Sequence, residues 1–219
     1  MKYVFTAAVV AALTFIGCVS KETLPAYSVR QENLNREYNS IIRLHDDKDR
    51  FVCSGVVISD DYVLTAAHCL YGNDGPVKTI NVISSANTTT KASVVGLNVR
   101  MDYALLRGNF TKFTREILMF SSGTPLRLTG IKGRVFTCGF PFGSKQPFCY
   151  GTAPQLVDTQ SFQLVLEGAL YPGMSGGPVI DVDNGLVIGV NSAVTRQGGG
   201  IVISPLIGLF DSFKIEVKE

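Results

Sequence analysis

Three short segments of this chain carry side chains that together could cleave an acyl bond. They are Thr65-Ala66-Ala67-His68-Cys69, Met101-Asp102-Tyr103-Ala104-Leu105-Leu106 and Gly173-Met174-Ser175-Gly176-Gly177-Pro178. Read together they supply a base, an orienting carboxylate and a nucleophile. A serine hydroxyl is a weak nucleophile near neutral pH, so a base with a pKa near the working pH must take its proton during attack. His68 is the candidate base; the chain has one other histidine, His45. Asp102 would hold the imidazole in the tautomer that offers its free nitrogen to Ser175, and would stabilise the positive charge that develops. Each residue has a plainer role when taken alone. A histidine beside an apolar run is usually structural, and a serine among glycines can be no more than a tight turn. A carboxylate at the head of an apolar strand would cost on the order of several kcal/mol if buried without a partner. An imidazolium-forming partner removes that objection, and the three in order favour the chemical reading.

Such groups act only when a scaffold brings them together, and the chain reads as a β-rich one. From Ser40 onward, short apolar runs are broken by Gly, Pro, Asn and Asp: 41–44, 51–58, 62–65, 79–83, 92–99 and 103–106. A second set follows at 133–139, 146–151, 162–166, 178–181, 186–192 and 200–203. Regularly spaced short strands with turn signals predict barrels or sandwiches, not alternating βαβ units. About six strands stand on each side of a polar connection near Ser121 to Pro125, which divides the body into 40–120 and 121–219. Leu206 to Phe213 is expected to form a short terminal helix, with Ser204 and Pro205 suiting its cap and first turn. The 219 residues are 46% apolar with 22 Gly, enough to bury a substantial core. The formal charge of +2, with scattered Lys and Arg, leaves no basic footprint for a phosphate backbone, so no nucleic-acid partner is expected.

Ahead of this body, residues 1–17 read as an export signal: Lys2, then an uncharged apolar stretch from Tyr3 to Ile16, too short for the roughly 20 residues of a spanning helix. Phe15-Ile16-Gly17-Cys18 resembles the bacterial lipobox, in which the Cys is acylated and becomes the first mature residue, although Phe15 stands where that pattern usually has Leu. Residues 18–39 would then be a polar tether. Ordinary cleavage after Ser20 is the alternative. The five cysteines agree with an odd one at Cys18, leaving two sequence-local pairs, Cys53 with Cys69 and Cys138 with Cys149, consistent with disulfides in an oxidising compartment. Buried free thiols are the duller option. The expected location is the cell envelope, periplasm-facing or at the cell surface, with membrane anchoring through a lipid on Cys18; without the lipid the protein would be secreted.

Over residues 40–213 the chain resembles the chymotrypsin-like serine proteases. Phe51-Val52-Cys53-Ser54-Gly55-Val56-Val57-Ile58 and Tyr62-Val63-Leu64-Thr65-Ala66-Ala67-His68-Cys69 match that family's strand pair, whose disulfide brackets the catalytic His. The Asp102 and Ser175 segments match its carboxylate and nucleophile motifs, in the family's chain order His, Asp, Ser. The resemblance implies an all-β fold of two six-stranded antiparallel β-barrels with the site in the cleft between them. It also implies a protein or peptide substrate and an oxyanion hole formed by the amides of Gly173 and Ser175.

Met174 departs from zymogen-activated relatives, which have an Asp there to pair with a newly cut N-terminal amine. A thioether cannot form that pair, so activity without such cleavage is expected. By motif, Ala169 falls near the floor of the primary substrate pocket, with Ser192, Ala193, Val194 and 198–200, Gly200 included, as its walls. The absence of an acid at Ala169 predicts an apolar rather than a basic primary side chain, with Arg196 and Gln197 near the mouth. No cofactor and no metal are expected. Asp46, Asp47 and Asp49 read as a solvated turn sooner than a calcium site, and the sequons at Asn87 and Asn109 are moot behind a bacterial leader. A catalytically silent binding module on the same scaffold is the rival functional class.

Overall fold

The computed structural model describes residues 39–72, 75–113, 135–158, 163–181, 186–195 and 200–205. In the first half run β1 (Ile41–His45), β2 (Phe51–Val57), β3 (Tyr62–Thr65), the small hairpin β4 (Tyr71–Gly72) and β5 (Gly75–Pro76), β6 (Thr79–Ile83), β7 (Thr89–Asn98) and β8 (Tyr103–Arg107). In the second run β9 (Val135–Gly139), β10 (Phe148–Thr152), β11 (Pro154–Asp158), β12 (Gln163–Glu167), β13 (Pro178–Asp181), β14 (Leu186–Val194) and β15 (Gly200–Pro205). Single turns of 3-10 helix lie at Ala67–Leu70 and Pro141–Gly143.

The first half is a closed barrel with strand order β1-β2-β3-β8-β7-β6. Strands β1, β2, β3 and β8 are buried almost end to end, yet they keep the two-residue period of a pleated chain. Ile42, Leu44, Val57, Val63, Ala104 and Leu106 belong to the cluster inside the barrel. Their neighbours Ile41, Val56, Leu64, Tyr103 and Leu105 pack instead with Cys138, Phe140, Ile180, Val187 and Val190 of the second half. Both faces of β1, β2, β3 and β8 are therefore apolar because one lines the barrel and the other carries the second sheet. Each fully buried Leu or Ile contributes roughly 1.5–3 kcal/mol.

The turns are held by their own side chains. Between β1 and β2, Asp46 Oδ1 accepts the amides of Lys48 and Arg50, and Arg50 Nε donates to Asp46 Oδ2 at 2.7 Å. His45 Nδ1 lies 3.0 Å from Asp49 Oδ1. Two carboxylates of the acidic turn are thus engaged, Asp46 by Arg50 and backbone amides and Asp49 by His45. Between β2 and β3, Ser59 Oγ accepts the amides of Asp61 and Tyr62.

The second half corrects the expected strand count. Among the described residues it forms a seven-stranded antiparallel sheet of order β10-β9-β13-β14-β15-β12-β11, one strand more than the six expected. The extra strand is β11, absent from the sequence expectation because a proline lacks the amide that a ladder uses. Pro154 is tolerated as the first residue of a strand, where it pairs with Leu166. The two outer strands, β10 and β11, are consecutive in the chain with only Ala153 between them. Val135, Leu166, Val179, Ile188 and Ile203 form this sheet's own cluster. The expected helix at 206–213 and the leader and tether at 1–38 lie outside the described residues.

Candidate active site

His68 sits in the 3-10 turn that leaves β3, beside Cys69, whose disulfide to Cys53 ties the turn to β2. Asp102 ends the turn that enters β8, with a left-handed backbone (φ 51°), a conformation Asp tolerates better than most residues. Met101 donates its amide to Asn98 Oδ1 and shapes this turn. One Asp102 oxygen accepts the His68 amide at 2.9 Å, and the other lies 2.8 Å from His68 Nδ1. An ionised carboxylate only accepts, so Nδ1 carries the proton and Nε2 of the neutral ring keeps its lone pair. Ser192 Oγ on β14 donates to the same Asp102 oxygen that faces Nδ1. Asp102 is thereby held from both halves of the molecule. Burial by itself would raise its pKa, but the hydrogen bonds from His68 and Ser192, the His68 amide and the nearby imidazole outweigh it and hold the carboxyl below its usual value.

Ser175 stands in the turn before β13. Its carbonyl accepts the Ser54 amide at 2.9 Å, and Ser54 adjoins Cys53. Gly176 donates to the Asn191 carbonyl and Asn191 to that of Gly177, which ties the loop to the residue preceding Ser192. Ser175 is thus linked through Ser54 and Cys53 to the His68 turn, and through Gly176 and Asn191 to the partner of Asp102. Among the described residues no hydrogen bond joins His68 Nε2 to the Ser175 hydroxyl; Nε2 lies 3.7 Å from Cys69 Sγ. Apo geometry of this kind often tightens only when substrate is bound. His68, Cys53 and Cys69 place three donor atoms close together, but both sulfurs are engaged in the disulfide.

The carbonyls of the loop are fastened one after another. Pro172 O accepts the Phe142 amide at 2.7 Å, Gly173 O accepts Ser54 Oγ at 2.7 Å, and Met174 O accepts Asn191 Nδ2 at 3.2 Å and the Gly177 amide. In a planar trans peptide the N–H points opposite to the preceding carbonyl. The Gly173 and Ser175 amides are therefore turned away from Phe142 and Asn191, and among the described residues neither donates a hydrogen bond. Gly173 has φ +93°, and a Cβ there would lie 2.6 Å from Phe140 O and 2.7 Å from the Phe51 ring. Gly176, at φ +78°, has no room for a Cβ against Thr65 Oγ1 and Ser54 O. Met174 is fully buried, with its Cα 2.7 Å from where a Cβ on Gly139 would stand.

The remaining expected site residues gather at one end of β12, β14 and β15. Gly200 pairs with Glu167, two residues before Ala169, while Val194 pairs with Ile201 and Ala193 with Val202. Ser192, on β14, is the one of them bonded to Asp102. Tyr150 on β10 donates its hydroxyl to the Ala169 carbonyl at 2.7 Å. Burial, then the neighbouring Tyr171, push that hydroxyl up to about 12 despite the Ala169 bond. Arg196 and Gln197 lie outside the described residues. Cys138 and Cys149, directly paired across β9 and β10, form the second disulfide.

Sequence reasoning passed over Ser54, Thr137, Asn191 and Tyr150. Asn191 is fully buried and fully engaged: Nδ2 donates to Cys138 O and Met174 O, and Oδ1 accepts Thr137 Oγ1 at 2.6 Å. The available signal was a lone polar residue inside an apolar strand, since such a group must find a partner when buried.

A family model of the trypsin-like peptidase domain matches residues 53–190, more than half of the chain, and the protein belongs to that family. In three dimensions it is similar to the serine endoprotease from Yersinia pestis, with 22% identity and a TM-score of 0.64 over 80% of this chain and 61% of that one. It is also similar to the HtrA-type protease AlgW, solved with a decapeptide, at 21% identity and a TM-score of 0.63 over 83% of this chain and 66% of that one. The Rv3671c protease in its inactive form aligns at 19% identity and a TM-score of 0.61, over 84% of this chain and 93% of that one. Identities this low show a shared fold. The chain spans about 61% of the length of the Yersinia pestis enzyme. Among curated proteins none is significantly similar in sequence.

Proposed function

We propose that this protein hydrolyses peptide bonds through His68, Asp102 and Ser175 by way of an acyl-enzyme. The observation that carries the reading is Asp102 holding His68 Nδ1 while Ser175 is tied to Ser54, next to the disulfide that anchors the His68 turn. His68 Nε2 takes the Ser175 proton as Oγ attacks the carbonyl carbon, and the oxygen gains negative charge facing the Gly173 and Ser175 amides. As the C–N bond breaks, His68 returns the proton to the leaving amine. Water, deprotonated by the same nitrogen, then releases the acid and regenerates Ser175. A fluorophosphonate should label Ser175 covalently and leave Ser175→Ala unlabelled. An unlabelled wild-type protein would favour the binding-module alternative.

The lack of an acid at Ala169 supports an apolar primary side chain, with Ser192, Ala193, Val194 and Gly200 forming the pocket walls. Preferred cleavage after Lys or Arg in a peptide library would overturn this. The leader sequence supports export, and Cys18 supports a lipid anchor at the cell envelope. Intact mass of the mature protein tests both, since an unmodified start at Lys21 excludes the lipid.

A further inference from the structure

Ser54 is fully buried, polar, and unused by the proposed chemistry. Its hydroxyl does two things at once. It donates to Gly173 O at 2.7 Å, across 119 residues of chain, and accepts the Phe140 amide at 2.8 Å, across 86. Its own amide holds the Ser175 carbonyl. One residue of β2 therefore grips both ends of the Gly173–Ser175 segment and links it to Phe140, the last residue before the turn whose Phe142 amide holds Pro172 O. Gly173 can rotate freely because it lacks a Cβ, so its left-handed φ of +93° must be imposed from outside. Asn191 grips the Met174 carbonyl and Phe142 the Pro172 carbonyl; the Gly173–Met174 peptide is held at its N–H by a 3.0 Å local turn bond to Tyr171 O and at its carbonyl by the Ser54 hydroxyl, its one tie to the first barrel among the described residues.

We infer that Ser54 is a positioning residue for the oxyanion hole: its hydroxyl locks the Gly173–Met174 peptide and so keeps the Gly173 and Ser175 amides aimed at the developing oxyanion before substrate arrives. No N-terminal amine is then needed to set the loop, which agrees with a buried Met174 in place of an acid. The inference rests on the proposed roles of Ser175 and Gly173. A preorganised donor acts on the transition state more than on substrate binding.

The test is Ser54→Ala, with kcat and KM measured separately and the Gly173 amide followed by NMR. The expected result is a kcat lowered about ten- to a hundredfold, KM within about twofold, and a Gly173 amide resonance broadened or split where wild type gives one sharp line. A kcat within about twofold of wild type, or an unchanged Gly173 resonance, overturns the inference. If Ser54→Ala does not fold, Ser54→Cys, with its weaker donor, takes its place under the same criteria. If wild type itself fails to react with a fluorophosphonate, the triad reading falls separately. The Gly173 resonance of the variant then decides the Ser54 inference alone.

Discussion

Asp102 shows how much one side chain can be asked to do. It sits at positive φ, receives His68 twice and Ser192 once, and stays ionised although partly buried. Asn shares the tolerance for left-handed backbone, so Asp102→Asn is expected to fold. Its amide, however, places a donor where an acceptor is needed and favours the wrong imidazole tautomer. We expect kcat to fall by about ten-thousand-fold, as for the corresponding change in a trypsin-type enzyme, with little change in KM. The pH dependence follows from the lowered carboxyl. A group whose folded pKa lies below its unfolded value stabilises the protein above the unfolded pKa, about 3.9, and that stability is lost as pH falls through the folded value. Acid unfolding of Asp102→Asn should therefore depend less steeply on pH below about 4. Gly173 is constrained differently. Gly173→Ala must either strain φ +93° or move Phe140 and Phe51, and we expect activity to fall more than a hundredfold or so while the circular dichroism spectrum is retained.

At the level of elements, the two disulfides divide the labour. Cys138–Cys149 joins directly paired residues of β9 and β10 and has no link to the His68 turn like that of Cys69. Replacing both with Ala should cost about 2–4 kcal/mol of stability and leave kcat of the folded enzyme little changed. Cys53–Cys69 carries the His68 turn on one side and Ser54 on the other. Its double replacement should lower kcat as well as the melting temperature, and equal effects of the two pairs on kcat would contradict this division. The strands behind the site, β2, β3 and β8, carry apolar side chains on both faces, so neither face can turn to solvent.

At the scale of the molecule, the site is shared. His68 and Asp102 come from the closed barrel, Ser175 and Ser192 from the second sheet, and the Ile41, Leu64, Tyr103, Phe140 and Val190 cluster holds the two together. The loop that carries Ser175 is fastened by Ser54, Phe142 and Asn191, and its buried Met174 offers no partner for an N-terminal amine. A chain still carrying residues 21–39 should hydrolyse substrate at full rate. Activity that emerges only after proteolysis beyond residue 40 would show the loop to be set some other way.

The strands of the first barrel were legible in the chain because burial on a pleated backbone leaves a local pattern, interrupted at Asp46–Arg50 and Ser59–Asp61 by residues that close turns. The His68, Asp102 and Ser175 segments were legible too, since each is a short contiguous motif, and the cysteines sorted into pairs by proximity along the chain. Strand β11 was not, because Pro154 looks like a break until a partner strand is there to accept it. Neither were the groups that set the nucleophile loop. Apolar alternation says that Ser54, Thr137 and Asn191 lie inside, yet not which of many buried donors and acceptors each will meet. Those pairings span 119 residues for Ser54 with Gly173 and 90 for Ser192 with Asp102. Local sequence encodes which side of a strand faces inward; only the packing of the barrel against the sheet decides which atoms meet there.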